Sequence, residues 1–328
     1  MELLLTGATG QLGREVVPRL LERGDHLKLL VRDADKARRQ FPDCDVIQGN
    51  ITSDDLGIKH PMKLDAIYHL AADINLGTQF NDRVWATNFQ GTVNVVHFCQ
   101  QNSVPHLFYA GTAYTEKGRN IYERSKKAAE QFVDSSNIER KTIFKIGILV
   151  PSLKDAVNAS TGAIYQFVNG ISTVLGRAEA ARRRLDGKLR LPVKQPKFRV
   201  KGVPDASLNL VHVDVVADFI VKTTSPGKFW LTHPHPTKLN DLAEWVGDVL
   251  HVPVEFEPDF EMSDAEALFH RGAKPFLAYL QGDNFVSHLK DCPDISAKFV
   301  KESVAHSIIE FKDTSGGKWV KPPDKLGH

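Results

Sequence analysis

Short apolar runs alternate with amphipathic segments through the first half of the 328-residue chain. The run ELLLT opens it, followed by a glycine-rich turn, a helical pattern that ends at Gly24, and a second apolar run, LKLLV, at 27–31. Further apolar runs lie at 45–49, 65–72, 106–112 and 141–150, and helical patterns lie at 81–101 and 121–135. Strands that alternate with helices predict an α/β fold, a doubly wound parallel sheet with helices on both faces.

The alternation stops near Pro151. We therefore predict one domain over residues 1–150 and a smaller C-terminal lobe that takes up most of residues 151–328. The run LNLVHVDVVADFIV at 208–221 is typical of a strand that leads into a helix, and we expect it to return to the first domain. After it, KFWLTH predicts a strand, KLNDLAEWVGDVL a helix and PVEFEP a short strand.

Composition excludes several classes of protein. Hydrophobic residues make up 42% of the chain and charged residues 25%, and the net charge of +2 argues against a nucleic-acid partner. The three cysteines, Cys44, Cys99 and Cys292, have no metal-binding spacing and suggest reduced thiols. A strand-like run from Glu2 leaves no room for a signal peptide, and no apolar stretch reaches the length of a membrane span. We expect a cytoplasmic protein.

The sequence TGATGQLG places Gly7, Gly10 and Gly13 directly between a strand and a helix. The pyrophosphate of a dinucleotide lies against backbone N–H groups at such a helix start, where a side chain would block it. A tight turn alone also selects glycine, but the position between β and α elements favours nucleotide binding. We predict that residues 1–150 bind a dinucleotide through Gly7, Thr9, Gly10, Gln11, Leu12 and Gly13.

The end of the second strand indicates which cofactor binds. The first polar residue after KLLV is Arg32, with Asp33 next. A forked guanidinium suits the 2′-phosphate of NADP, so NADP(H) is favoured. The alternative is that Arg32 is solvated and Asp33 accepts hydrogen bonds from the ribose, in which case NAD(H) binds.

The segment NIYERSK contains Tyr122 and Lys126, four positions apart. Of the six tyrosines, only this one has a lysine at that spacing. Hydride reduction of a carbonyl leaves an alkoxide that needs a proton donor, and a lysine on the same helix face is expected to lower the pKa of a phenol. In the alternative interpretation, Tyr122 is a surface residue at a helix start and Lys126 is solvated.

These motifs, taken in order, resemble the extended short-chain dehydrogenase/reductase family. The resemblance rests on TGATGQLG, HLAA at 69–72, TNFQGTVNVV at 87–96, YAGTAY at 109–114, YERSK, and NLVHVDVVADFIV, and it spans about two thirds of the chain. GNITSDDLG and DAIYHLAADINLG are most similar to the branch with thioester and fatty-acyl reductases. The resemblance implies a Rossmann-type fold with a C-terminal substrate lobe.

The resemblance also implies roles for individual residues. Tyr122 and Lys126 match the catalytic tyrosine and lysine, and Thr112 takes the position of the catalytic serine or threonine. Asn88 matches the structural asparagine of the fourth helix. The remaining implied cofactor contacts are Asn50 and Ile51 at the adenine, where the family's usual aspartate is Asn50, and Ala71 and Ala72 at the ribose. The connection from Thr112 to Tyr122 is shorter than is usual in the family, which weakens any inference about the substrate.

We interpret the chain as an NADPH-dependent reductase of a carbonyl in a thioester, aldehyde or ketone. Its expected partners are a small carbonyl substrate, with a coenzyme A or carrier-protein thioester as one option, and a homodimer is compatible with the sequence. A nucleotide-sugar epimerase or dehydratase with bound NAD is the first alternative. A regulator that binds NADP without turnover is the second.

Two other patterns are ambiguous. Residues 177–201 hold ten Lys or Arg against two acids, which suits either a solvated face or the docking of an anionic coenzyme A ester or carrier protein. The sequence HPHP contains His233 and His235, but its prolines favour a rigid loop over a metal site. We expect no metal.

Overall fold

The computed structural model of the protein describes residues 1–76, 82–155, 162–186 and 197–315. The chain forms two compact units. Unit 1 comprises Met1–Gly147, Val211–Pro234 and Phe285–Cys292, and unit 2 comprises the described residues between and after these segments.

The strands and helices follow in chain order. The strands are β1 (Glu2–Thr6), β2 (His26–Val31), β3 (Asp45–Gln48), β4 (Ala66–His69), β5 (His106–Thr112), β6 (Arg140–Ile146), β7 (Ile148–Val150), β8 (Phe198–Lys201), β9 (Ser207–Leu208), β10 (Leu210–His212), β11 (Gly227–Leu231), β12 (Thr237–Lys238) and β13 (Val254–Glu257). The helices are α1 (Gln11–Glu22), α2 (Ala34–Gln40), α3 (Asp82–Trp85), α4 (Gly91–Gln101), α5 (Ile121–Ser135), α6 (Ala163–Asp186), α7 (Val213–Lys222), α8 (Leu239–Leu250), α9 (Asp264–Leu277) and α10 (Ala297–Ser315). In the described part of the chain, no helix combines the length and the apolar character that crossing a membrane requires.

Unit 1 is built on a seven-stranded sheet in the order β11-β6-β5-β4-β1-β2-β3. All neighbouring pairs in it are parallel. The predicted doubly wound sheet of the Rossmann type is therefore confirmed, and β11, which comes from the KFWLTH segment, is its seventh strand.

Apolar side chains cover both faces of this sheet, because successive residues of a strand point to opposite sides. Leu4 belongs to one buried cluster that includes Val95 and Val96 of α4 and Val133 of α5. Its neighbour Leu3, on the opposite face, is also fully buried. Helix α1 packs against α7, and its own apolar stripe is buried. Because both faces of the sheet are covered, a ligand can reach the sheet at the ends of its strands.

The carboxyl ends of β1, β2, β4 and β5 lie at one edge, because the strands are parallel. At β1 the chain order reverses: β2 and β3 extend the sheet to one side, and β4, β5 and β6 extend it to the other. Open α/β sheets bind their ligands at such a switch point, outside the carboxyl ends of the strands.

The helical pattern predicted at 81–101 forms as α3, a π-helical turn at Ala86–Gln90, and α4. A π turn carries one residue more than an α turn and often occurs at a functional site. Asn88 lies in this turn and is buried.

An irregular segment, Phe285–Cys292, lies along β11 at the edge of the sheet. The His288 backbone N–H donates to the Trp230 carbonyl oxygen at 2.9 Å, and the His288 ring accepts from the Trp230 N–H at 3.0 Å. The hydroxyl groups of Thr232 and Ser287 donate further hydrogen bonds to backbone oxygens between the same two segments of the chain. This edge-covering segment satisfies part of a strand edge that would otherwise be open to pairing with another chain.

Unit 2 contains short strands and four of the long helices. Strand β13 pairs in parallel with β8, and β12 pairs antiparallel with β9. Helix α10 packs against α6 and α8, where the Asn169 side chain donates to Ser307 at 3.0 Å. Helix α9 begins with a capping box formed by Ser263 and Glu266.

Candidate active site

The glycine turn after β1 is too tightly packed for side chains. Gly7 has a φ of +81°, and a Cβ atom there would lie 2.6 Å from the backbone nitrogen of Ala71. A Cβ on Gly13 would lie 2.2 Å from the Gly7 carbonyl oxygen. Glycine is therefore required at both positions, because the turn passes directly against α1 and the segment after β4.

The start of α1 offers free donors to an anion. Its N-cap is Gly10, which has no side chain to bond the first N–H groups of the helix. Thr9 and Gln11 are partly exposed beside it, whereas Leu12 is buried and packs into the core. Uncapped N–H groups and the positive end of the helix dipole suit a pyrophosphate, so the residues present fit a dinucleotide.

Arg32 and Asp33 differ in what they are free to do. Arg32 follows β2 and is exposed. Asp33 is the N-cap of α2, and its Oδ1 accepts a hydrogen bond from the Lys36 N–H at 2.9 Å. One carboxylate oxygen is thus already engaged in holding the helix start, which favours Arg32 over Asp33 as the residue that meets the cofactor.

Replacing Asp33 by alanine should therefore act on stability rather than on cofactor choice. Loss of this cap should cost about 1 kcal/mol of unfolding free energy. The ratio of NADPH to NADH affinity should remain as in wild type, measured by fluorescence titration beside a urea melt. A variant that keeps its stability but loses NADH binding would instead assign Asp33 to the ribose.

The predicted adenine contacts lie at the end of β3. The Oδ1 of Asn50 accepts from the Thr52 N–H at 3.1 Å, which shapes a turn and leaves the amide nitrogen as the donor end of the side chain. Ile51 is buried and packs on α4, where a Cβ on Gly91 would come within 2.8 Å of its side chain. At the end of β4, Ala71 is half-buried and Ala72 is exposed.

Asn88 holds the segment that follows β4. Its Oδ1 accepts from the Asp73 N–H at 2.7 Å, and its Nδ2 donates to the Asp73 carbonyl oxygen at 2.9 Å and to Ser125 Oγ at 3.1 Å. Ser125 in turn donates to the Tyr122 carbonyl oxygen at 2.9 Å. The buried asparagine thus ties the backbone beside Ala72 to the first turn of α5.

A second buried hydrogen-bond chain joins the ends of β1 and β4. The ring of His69 lies 2.7 Å from Thr6 Oγ1 and 3.0 Å from Thr92 Oγ1. Thr92 donates its proton to the Asn88 carbonyl oxygen, so it accepts from His69, and the neutral ring then accepts from Thr6. Burial and the charge of Lys126 lower the pKa of His69 to about 3, which keeps the ring neutral.

Tyr122 and Thr112 are brought together across α5 and β5. Tyr122 lies in the first turn of α5, close enough to the Thr112 hydroxyl for that group to affect the pKa of the phenol. Thr112 is the last residue of β5 and donates to the Ile146 carbonyl oxygen at 3.4 Å. Burial raises the pKa of Tyr122 to about 12, although the Thr112 side chain opposes the shift. The phenol is therefore fully protonated at neutral pH.

Lys126 lies one helical turn after Tyr122 and is buried. Its ammonium donates to the Ala110 carbonyl oxygen at 2.6 Å and lies 4.4 Å from the centre of the Tyr109 ring. Burial lowers the pKa of Lys126 to about 7, and the charge of Glu130 opposes this shift. The expected lowering of the Tyr122 pKa by Lys126 is wrong for this structure, because burial of the phenol dominates and the ammonium points to β5.

The short connection between Thr112 and Tyr122 is fixed by its own polar contacts. Asn120 is the N-cap of α5, and its side chain accepts from the Glu123 N–H at 2.9 Å. Buried Glu123 in turn accepts from the backbone and the side chain of Arg119, both at 2.7 Å. Because these hydrogen bonds close the turn, a longer loop is not needed to orient Tyr122.

Sequence reasoning missed one charged pair near the site. Lys145 of β6 donates to both carboxylate oxygens of Glu130, at 2.9 and 3.1 Å, and to Thr115 Oγ1 at 2.9 Å. Two signals were present in the sequence: a lysine inside the apolar run KTIFKIGILV, and a carboxylate eight positions after Tyr122 on one helix face.

The two ambiguous patterns gain little from the structure. His233 is buried and His235 is exposed. Within the described residues, no three His, Cys, Asp or Glu side chains are grouped as they would be around a metal ion. The side chains at 181–196, which include Arg182, Arg183 and Arg184, lie outside the described part of the basic run, whereas Lys197, Arg199 and Lys201 pair with carboxylates.

Part of the chain matches a known protein family. Residues 3–151 match the NAD dependent epimerase/dehydratase family. A 3 beta-hydroxysteroid dehydrogenase/Delta 5→4-isomerase from Mycobacterium tuberculosis is 28% identical over 158 residues, which are 41% of this chain and 42% of that protein. The chain thus spans less than half the length of this relative.

Two solved structures share the fold. The thiolation-reductase di-domain of an archaeal non-ribosomal peptide synthetase has a TM-score of 0.65 at 15% identity, covering 97% of this chain and 91% of the other. The UDP-glucose 4-epimerase of Thermotoga maritima has a TM-score of 0.60 at 13% identity, covering 96% of this chain and all of the other.

Together, the parallel sheet, the glycine turn and these likenesses define a Rossmann-type fold of the kind found in NAD(P)-dependent enzymes. The resemblance to the extended short-chain dehydrogenase/reductase family is confirmed for residues 3–151, the part of the chain that the family model matches.

Proposed function

We propose that the protein is an NADPH-dependent reductase that transfers hydride to the carbonyl carbon of a thioester, an aldehyde or a ketone. One observation carries the proposal: a protonated phenol, Tyr122, lies beside Thr112 at the carboxyl ends of the strands, where the glycine turn also lies. A proton donor and a nucleotide cradle at one edge are the two parts that carbonyl reduction needs.

Tyr122 acts as the proton donor and Thr112 as its partner on the substrate oxygen. When bound, NADPH supplies the hydride. The carbonyl oxygen gains negative charge in this step, and Tyr122, with a pKa of about 12, remains a proton source at every physiological pH. The high pKa favours the reductive direction, because oxidation would require the phenolate as a base.

The other residues would hold the cofactor. The N–H groups of Gln11 and Leu12, in the uncapped first turn of α1, would face the pyrophosphate, and Arg32 would pair with the 2′-phosphate. Asn50 and Ile51 would lie at the adenine, and Ala71 and Ala72 at the ribose, in a segment that Asn88 holds in place. Lys126 would turn from Ala110 towards the nicotinamide ribose.

A thioester is the substrate class we favour among the three. The likeness of the sequence to thioester and fatty-acyl reductases supports it. So does the excess of positive charge at 177–201, which would suit the phosphates of coenzyme A or an acidic carrier protein, although three of its ten basic residues, Lys197, Arg199 and Lys201, already pair with carboxylates. Sugar epimerisation is the second candidate, because the matching family is one of epimerases and dehydratases. It uses bound NAD without net redox change.

An NADPH-oxidation screen tests the proposal. With octanoyl-coenzyme A, octanal or 2-octanone as the carbonyl probe, at least one should consume NADPH in proportion to the product formed. With UDP-glucose, neither NADPH loss nor epimerised sugar should appear. Formation of epimerised sugar with no net change in the cofactor would show that the protein is an epimerase and not a reductase. The regulator would be favoured if the protein binds NADPH tightly but turns over none of the probes, and if the Tyr122→Phe variant gives the same two results.

A further inference from the structure

The Glu130–Lys145 pair is a buried ion pair in unit 1. Glu130 is 8% exposed and Lys145 is 4% exposed. Lys145 bonds both carboxylate oxygens of Glu130 and also the Thr115 hydroxyl. Its ammonium lies 4.8 Å from the centre of the Trp230 ring. A buried pair of this kind contributes little net stability compared with apolar residues, so stability alone does not explain it.

The position of the pair relative to the active site is more informative. Glu130 lies on α5 two turns after Tyr122, on the same face as Lys126. Lys145 directly precedes Ile146, whose carbonyl oxygen is bonded by Thr112. The pair therefore links α5, which carries Tyr122 and Lys126, to β6, which bonds Thr112 through the Ile146 carbonyl oxygen.

Thr115 supplies the third link. It lies in the connection between β5 and α5, and its hydroxyl accepts from Lys145. In this connection the contacts of Asn120 and Glu123 fix the end next to Tyr122, whereas Lys145 fixes the end next to Thr112. A connection held at both ends can keep the side chains of Thr112 and Tyr122 at one distance from each other.

We propose that Glu130 and Lys145 are positioning residues for the reaction: their ion pair joins α5, β6 and the β5–α5 connection and so sets the spacing of Thr112, Tyr122 and Lys126. The inference rests on the proposed catalytic role of Tyr122. Neither residue touches the reacting atoms.

Glu130 has an additional electrostatic effect on Lys126. The groups that act on Lys126 are His69 from β4, Tyr109 from β5 and Glu130 from α5. His69 is neutral and the Tyr109 phenol is protonated, so Glu130 is the one anion among these groups. Glu130 is itself faced by Lys145 and, at 4.0 Å, by Lys228.

The sign of the effect follows from the charges. Glu130 raises the pKa of Lys126 against the larger lowering by burial. Without this carboxylate, Lys126 should lose its proton at a lower pH. If protonated Lys126 holds the ribose, NADPH affinity falls as the pH rises through the Lys126 pKa, and Glu130→Gln should move this fall to lower pH by about one pH unit.

The experiment compares Glu130→Gln, Lys145→Met and Asp218→Asn in the full chain. Asp218 pairs with Arg19 in unit 1, away from α5, and is the matched control for loss of a carboxylate. NADPH affinity is titrated across pH by fluorescence, and kcat is measured with octanal or octanoyl-coenzyme A. Glu130→Gln and Lys145→Met should each lower kcat about tenfold, which is within the range that the positioning of an acid catalyst contributes. Asp218→Asn should lower neither kcat nor NADPH affinity. Only Glu130→Gln should move the pH midpoint downwards.

A purely structural pair would lower the thermal midpoint of unfolding while leaving kcat and the pH midpoint of the folded protein unchanged, and this result would overturn the proposal. If a single variant fails to fold, Glu130→Leu combined with Lys145→Met leaves no unpaired charge and decides in the same way. Tyr122→Phe is run beside them. If it retains full activity, the proposed function fails; if it is inactive while the Glu130 and Lys145 variants equal wild type, only the positioning role fails.

Discussion

Tyr122→Phe should retain the fold and NADPH affinity while kcat falls by about 10²-fold or more. Phenylalanine keeps the ring and its packing but removes the only dissociable proton. The lost hydroxyl lies beside Thr112, which still donates to the Ile146 carbonyl oxygen, so the Thr112 hydroxyl keeps a partner. The measurement is steady-state NADPH oxidation with the best carbonyl probe, beside a cofactor titration.

Tyr68→Phe is the matched control for this variant. Tyr68 is also a buried tyrosine of unit 1, and burial raises its pKa while the nearby Arg23, away from the site, opposes this shift. Its loss should leave kcat within a factor of about two, the range expected of a substitution remote from the chemistry. Equal rates for Tyr122→Phe and wild type would make NIYERSK an ordinary helix start and would remove the proposed mechanism.

Lys126→Met gives the contrast. It removes the donor to Ala110 and the proposed contact with the ribose, so both kcat and NADPH affinity should fall. Its neighbour Lys127, on the same helix but less buried, serves as the control through Lys127→Met. A Lys126→Met protein that binds NADPH as tightly as wild type would exclude the ribose contact.

Arg32→Ala should lose about 1.5–3 kcal/mol of NADPH affinity, the scale of a charge-assisted hydrogen bond, with NADH affinity nearly unchanged. The expected selectivity follows from the free position of Arg32 at the end of β2, whereas the Asp33 carboxylate caps α2. Removing the guanidinium therefore affects the 2′-phosphate and nothing that the two cofactors share.

Arg38→Ala tests whether any loss of positive charge has the same effect. Arg38 is an exposed arginine of α2, three positions from its partner Asp35. Because long-range attraction to NADPH is screened by salt, its effect should be small and should vanish at high ionic strength. Wild-type protein that binds NADH more tightly than NADPH would overturn the assignment to NADP.

Periodicity predicted the sheet well. The apolar runs before residue 150 became β1 to β6, with a break at Gly147 that splits the last run into β6 and β7. The strand and helix predicted at 208–221 became β10 and α7. These elements are set by local patterns of burial, which a single sequence contains.

What the sequence could not predict depends on distant partners. KFWLTH reads as a strand, but only the fold shows that β11 pairs with β6. Lys145 looks like an anomaly in an apolar run until Glu130 is placed beside it. The protonation of Tyr122 and Lys126 was likewise out of reach, because the depth of burial that shifts both pKa values is a property of the packed structure.

The edge-covering segment has a consequence for how the protein is made. Unit 1 is discontinuous: its seventh strand lies beyond residue 226, and the segment along that strand ends at Cys292. A ribosome has thus synthesised most of the 328 residues before this unit can close. Until then the edge of β6, and later that of β11, is exposed to pairing with other nascent chains. Assembly of unit 1 is therefore a late event, coupled to the synthesis of unit 2, and residues 1–150 alone lack the parts that complete their sheet.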